Sequence, residues 1–222
     1  MADEGAAEIN LTTALTTLVL AGSSPIVIKR RLPIDHWQIK AITAQAKAEA
    51  RQRTECEAQW LVAARHHGVV RLRRVSGSDA RLETELASVS TLRTVSLTWA
   101  QVASTLGAVA TTLADVHHDG LVHANLSPEH IIVEPGGRRP VLCSPSPRAM
   151  GLGPARDLAA LATIATSFGP EAGCPAEWSE VVEALETCVD TAESARVFRH
   201  LAVSSTRARA RRWLNQRAVL RG

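Results

Sequence analysis

The alternation of apolar and polar positions divides the chain into a strand-rich beginning and a helical remainder. Leu15 to Leu20 is apolar and β-prone, Gly22-Ser23-Ser24-Pro25 supplies a turn, and Ile26-Val27-Ile28-Lys29 begins a second strand, so a hairpin is expected. From Ile39 to Arg65 there is no Gly or Pro, and Ala, Glu, Gln and Arg dominate, which predicts a long helix ended by His66-His67-Gly68. Val69 to Val75 and Arg81 to Ala87 read as two more strands about the turn Ser76-Gly77-Ser78-Asp79. The predicted order is β-β-α-β-β.

Apolar residues then recur at three and four, at Val102, Leu106, Val109, Leu113 and Val116, which predicts an amphipathic helix over Thr98 to His118 that stops at Asp119-Gly120. Ile131-Ile132-Val133 and Val141-Leu142-Cys143 flank Glu134-Pro135-Gly136-Gly137, the clearest hairpin signal in the chain. Arg156 to Phe168 is a compact apolar helix. Further helices are expected at Ala176 to Val189, Thr191 to Val203 and the Arg-rich Thr206 to Leu220.

A chain of 222 residues suffices for one well-buried domain or two small lobes sharing an interface. With five Trp, two Phe and no Tyr, its core must be built from Ala, Val, Leu and Ile. The net charge of +3 conceals a polarity: from Ser194 onward there are eight Arg and no acid, and taking those eight from +3 leaves −5 for the rest. Cys56, Cys143, Cys174 and Cys188 form no C-x-x-C pair and have no His at metal spacing, so neither zinc nor a disulfide framework is indicated. The opening Met1 to Gly5 is acidic where a signal peptide is basic, four Thr interrupt Leu11 to Ala21, and no apolar run reaches membrane-spanning length. A cytoplasmic protein without a membrane span is expected. The excess of Arg over Lys and the abundance of Ala fit a high-GC bacterial genome.

The segment Leu121-Val122-His123-Ala124-Asn125-Leu126-Ser127-Pro128-Glu129-His130-Ile131-Ile132-Val133 resembles the catalytic loop of protein kinases, H-R-D-L-K-P-E-N followed by an apolar strand. Ile26 to Lys29 is similar to the kinase V-A-I-K strand. Glu57 falls nine residues before His66, as the helix Glu of kinases precedes their H-P-x-I-V loop, and Arg156-Asp157-Leu158-Ala159-Ala160-Leu161 resembles the helix that anchors the large lobe. The resemblance is to a degenerate bacterial Ser/Thr pseudokinase and covers about Leu15 to Phe168. It implies an α+β, two-lobed fold: a small antiparallel sheet with one long helix over residues 1–88, and a truncated, mainly helical large lobe over 89–222 that carries the Arg-rich segment.

Kinase chemistry needs metal-held phosphates and an Asp to orient the acceptor hydroxyl. In the positions that the resemblance aligns, the base is Asn125, an amide that cannot take a proton. The metal-binding Asn is His130, a poor ligand for magnesium. The D-F-G Asp is Ser144, or Cys143 if the register slips by one. Only Gly22 remains of a phosphate-cradling G-x-G-x-x-G, and about ten residues separate Ser146 from the Asp157 helix, with no A-P-E platform. Lys29 and Glu57 persist, read as a bracing ion pair in preference to a nucleotide-pocket remnant. His123 is expected to brace the loop, and His117 and His118 to cap helix carbonyls or lie in solvent instead of joining His123 and His130 in a metal site.

These readings predict no catalytic residues, no cofactor and no metal, and a regulatory or scaffolding module that binds a protein partner. Homodimerisation is compatible with it. One alternative is an atypical nucleotide-dependent phosphotransferase using Lys29, Asn125 and His130 in new roles. The other is nucleic-acid binding by the Arg-rich end, disfavoured because Trp213 is the only aromatic near it.

Overall fold

Among the described residues, two antiparallel sheets, three α-helices and one short 3-10 helix make a mixed α+β architecture. The computed structural model describes residues 8–10, 16–19, 26–30, 44–78, 80–146 and 152–168, with single positions between 178 and 198. The first sheet contains β1 (Glu8–Asn10), β2 (Thr16–Val19), β3 (Ile26–Arg30), β4 (Leu72–Ser76) and β5 (Arg81–Glu85), in the order β1-β2-β3-β5-β4. Helix α1 (Ala44–Ala63) is inserted between β3 and β4, and α2 (Trp99–His118) follows β5. The 3-10 helix Pro128–His130 leads into a two-stranded sheet of β6 (Ile131–Glu134) and β7 (Arg138–Leu142), and α3 (Ala155–Ser167) follows.

The hydrophobic core lies around α2. Val102, Leu106, Val109, Leu113 and Val116 are all buried, so the three-and-four spacing marks the inward face correctly. Burying each such Leu or Val contributes about 1.5–3 kcal/mol. A capping box fixes the start of the helix: Thr98 Oγ1 accepts from Gln101 N–H, and the Gln101 side chain accepts from Thr98 N–H at 2.8 Å. Gly120, at φ +74°, ends it in a conformation that favours glycine.

The β6–β7 ribbon is held from both sides, and this fixes the loops at its ends. On one side Leu142 N–H donates to Gly68 O at 2.8 Å and Val70 N–H to Leu142 O at 3.0 Å; on the other, Leu92 N–H donates to Ile131 O at 2.8 Å. Val69 and Val70 therefore bond to the end of β7 instead of starting β4, which is why the strand expected from Val69 begins at Leu72. The strand expected to run to Ala87 ends at Glu85, and the helix expected to reach Arg65 ends at Ala63. β1 had no counterpart in the pattern reading. The turn at Gly22 to Pro25, the stretch from Ile39 to Thr43, Pro147 to Met150, Cys174, Cys188 and the Thr206 to Leu220 helix lie outside the described residues. The helices expected at Ala176 to Val189 and Thr191 to Val203 are described only at single positions. Among the described residues no helix is long and apolar enough to cross a membrane.

Gly68 lies where this clamp meets α2. A Cβ there would clash with Thr112 Oγ1 and come within 2.8 Å of Thr112 Cγ2. Because Thr112 is itself buried, Gly68→Ala is expected to destabilise the protein by about 1–3 kcal/mol, measured as a lowered urea midpoint with unchanged slope.

Candidate functional site

Lys29 and Glu57 are brought together by β3 and α1. Successive strand residues face opposite sides of a sheet, so Ile28 and Lys29 diverge. The Lys29 ammonium donates to Glu57 Oε1 at 3.0 Å and Oε2 at 3.1 Å. Glu57 belongs to the buried stripe of α1 with Thr54, Ala58 and Leu61, and its side chain is only 3% exposed. A third bond runs from Lys29 Nζ to Ser144 Oγ at 3.1 Å. Ser144, not Cys143, thus presents its side chain to the lysine.

The loop 121–127 is positioned by three elements. From α1, Trp60 Nε1–H donates to Val122 O at 2.8 Å, and its ring meets the His123 ring edge-on at 5.6 Å. From α3, the fully buried Asp157 carboxylate accepts His123 N–H at 2.8 Å, Ala124 N–H at 2.7 Å and His117 Nε2–H at 2.9 Å. Arg156 Nε–H adds a bond to Ala124 O at 3.2 Å. From the end of β7, Cys143 O accepts His123 Nε2–H at 3.0 Å. These bonds hold Ala124 at φ +55°, and Ser144 stands at φ +58°. Such left-handed conformations cost non-glycine residues about 1–3 kcal/mol each.

The protonation of the two site histidines follows from their partners. His123 donates through Nε2, while its Nδ1 faces the N–H of Asn125 at 3.4 Å, so the ring is neutral. Burial lowers its pKa from 6.5 to about 4, against the opposing pull of the Asp157 charge. His130 Nδ1 lies 2.7 Å from Asn125 O, a pure acceptor, so Nδ1 carries the proton. Burial also pushes the Cys143 thiol up to about 11, opposed by Ser144 and Lys29, which keeps it protonated and a poor nucleophile at neutral pH.

All six positions singled out from the sequence join in one network. Glu57 holds Lys29, Lys29 reaches Ser144 Oγ, and Ser144 O accepts Asn125 Nδ2–H at 2.8 Å. Asn125 then meets His123 through its N–H and His130 through its carbonyl. The donor set of this network is two imidazoles, an amide, a hydroxyl and one carboxylate already bound to an ammonium. Such a set does not fit magnesium, which takes carboxylate oxygens and phosphates. Among the described residues no group of three His, Cys, Asp or Glu could hold a metal ion.

Of the two places expected for His117, solvent is excluded: its side chain is 7% exposed and bound to Asp157, while His118 is exposed. Asp157 and Trp60 are positioning residues that spacing alone did not identify. A single acid at the head of the apolar run Leu158 to Ile164, and a Trp on the buried stripe of α1, are the signals that could have found them. Comparison with protein-family models finds no match, and comparison with curated proteins finds none either.

Proposed function

We propose that this chain is a kinase-like, two-lobed protein without phosphoryl-transfer activity, which serves as a regulatory or scaffolding module for a protein partner in the cytoplasm. In this reading residues 1–88 form the small lobe and 89–222 the large one. The five-stranded order with a long helix between its third and fourth strands supports it, as does a loop and hairpin following α2. One observation carries the functional part: where the proposed cleft would lie, the lysine and the amide are already bonded within the network. Lys29 is held by Glu57 and Ser144, and the Asn125 amide donates to Ser144 O. No carboxylate stands at either the base or the metal position, and a general base alone is worth roughly 10²–10⁴-fold in rate.

ATP titration with and without magnesium, followed by a phosphoryl-transfer assay, tests the proposal. No magnesium-dependent turnover is expected. Robust transfer that Lys29→Ala abolishes would overturn it in favour of an atypical phosphotransferase.

A further inference from the structure

Away from the cleft, a groove of about 630 Å³ runs between the C-terminal half of α1 and β4. Its apolar lining includes Leu61, Val69 and Leu72, with Val62 and Val75 exposed at 48% and 43%. Around these stand Arg65, Arg71, Arg73 and Arg74, all exposed, against one lining carboxylate, Glu85. No ion pair joins any of the four arginines to another described residue, whereas His66 nearby is bound to Asp115 at 2.8 Å.

β4 is also the last strand of its sheet and pairs only with β5 among the described strands. An edge strand leaves alternate N–H and C=O groups unpaired, a template for an added strand. The arginines decide what can add. A second copy of this edge would bring like charges together, while an extended acidic segment would meet four cations and could set aliphatic side chains against the Val62 and Leu72 surface. Nucleic acid fits less well, because no Phe, Trp or Tyr lines the groove to stack bases and an open strand edge offers it nothing to pair with.

The geometry points to the α1–β4 groove as a docking site for an extended acidic peptide segment of a partner protein, added antiparallel or parallel to β4 with aliphatic anchors in the groove. This rests on the protein-binding reading for the kind of occupant, and on nothing in the cleft.

The probe is a short fluorescein-labelled peptide in which acidic and aliphatic residues alternate, followed by anisotropy against the whole chain. Saturable binding that weakens with salt is expected, together with slowed amide exchange over Leu72–Ser76. The double change Arg71→Glu and Arg74→Glu should weaken binding by about tenfold, since it turns two attractions into repulsions. Val62→Asp, a second exposed change, should weaken it as well, and circular dichroism verifies that both variants fold. A peptide of the same charge with proline at alternate positions should bind poorly, because it cannot complete the strand pairing. Absence of acidic-peptide binding, binding indifferent to both variants, or preferential binding of a poly-uridine oligonucleotide through the same arginines would each overturn the docking site. None of those results bears on phosphoryl transfer, so the groove and the inactive-cleft proposal fail separately.

Discussion

Replacing Asp157 with alanine is expected to lower the unfolding free energy by about 3–5 kcal/mol, the range for stripping one partner from a buried, charged hydrogen-bond cluster. The carboxylate is fully buried and accepts from two backbone N–H groups and from His117. Its loss leaves the His123 and Ala124 amides without acceptors in a site closed to water, at about 1–3 kcal/mol for each. It also releases the clamp that holds Ala124 at φ +55°. Asp157→Asn keeps one acceptor oxygen and should fall between alanine and the native residue. Urea unfolding at neutral pH measures both, and an alanine variant within about 1 kcal/mol of the native protein would show that the carboxylate is not the brace of the loop. Because Asn125 follows this clamp directly, the alanine variant should also loosen the Asn125 to Ser144 bond and speed amide exchange through 123–126.

The same residues explain what could be read in advance. α2 was legible because its buried face is apolar except for Thr105 and Thr112, so periodicity and burial largely coincide. α1 was legible only as a Gly- and Pro-free stretch: its buried face includes Thr54 and Glu57, which weakens any apolar periodicity. Lys29, Glu57, Asn125, His130 and Ser144, singled out by the resemblance and not by periodicity, meet in one hydrogen-bonded network. The left-handed Ala124 and Ser144 were not legible, because neither residue favours that conformation. Tertiary hydrogen bonds from Asp157, Arg156 and Asn125 impose it. Likewise, β4 starts late because Gly68, Val69 and Val70 are recruited to the end of β7, a contact between segments more than seventy residues apart that no local pattern encodes.

Acid should destabilise the protein through His123 before it reaches most carboxylates. His123 is neutral when folded, and its pKa is lowered from 6.5 to about 4 by burial. Between those two values the unfolded chain binds a proton that the folded chain refuses, so stability rises with pH by about 1.4 kcal/mol per unit across the window. The contribution is complete above pH 6.5 and is lost progressively as the pH falls toward 4, amounting to about 3 kcal/mol in all. Glu129, whose carboxyl is held below its ordinary value of 4.5 by a bond to its own backbone and by Ser127 and Arg93, acts in the same direction. Its contribution begins to be lost only as the pH falls below 4.5, at the acid end of the His123 window, so the two can be separated. His123→Gln supplies a donor for Cys143 O without a titrating ring. Urea midpoints measured from pH 7 to pH 4 should therefore fall steeply for the native protein and less steeply, by close to one proton's worth, for His123→Gln. Parallel slopes would mean that the ring is hydrated and titrates near its ordinary value, and with that the dry, braced arrangement of the 121–127 loop would be lost.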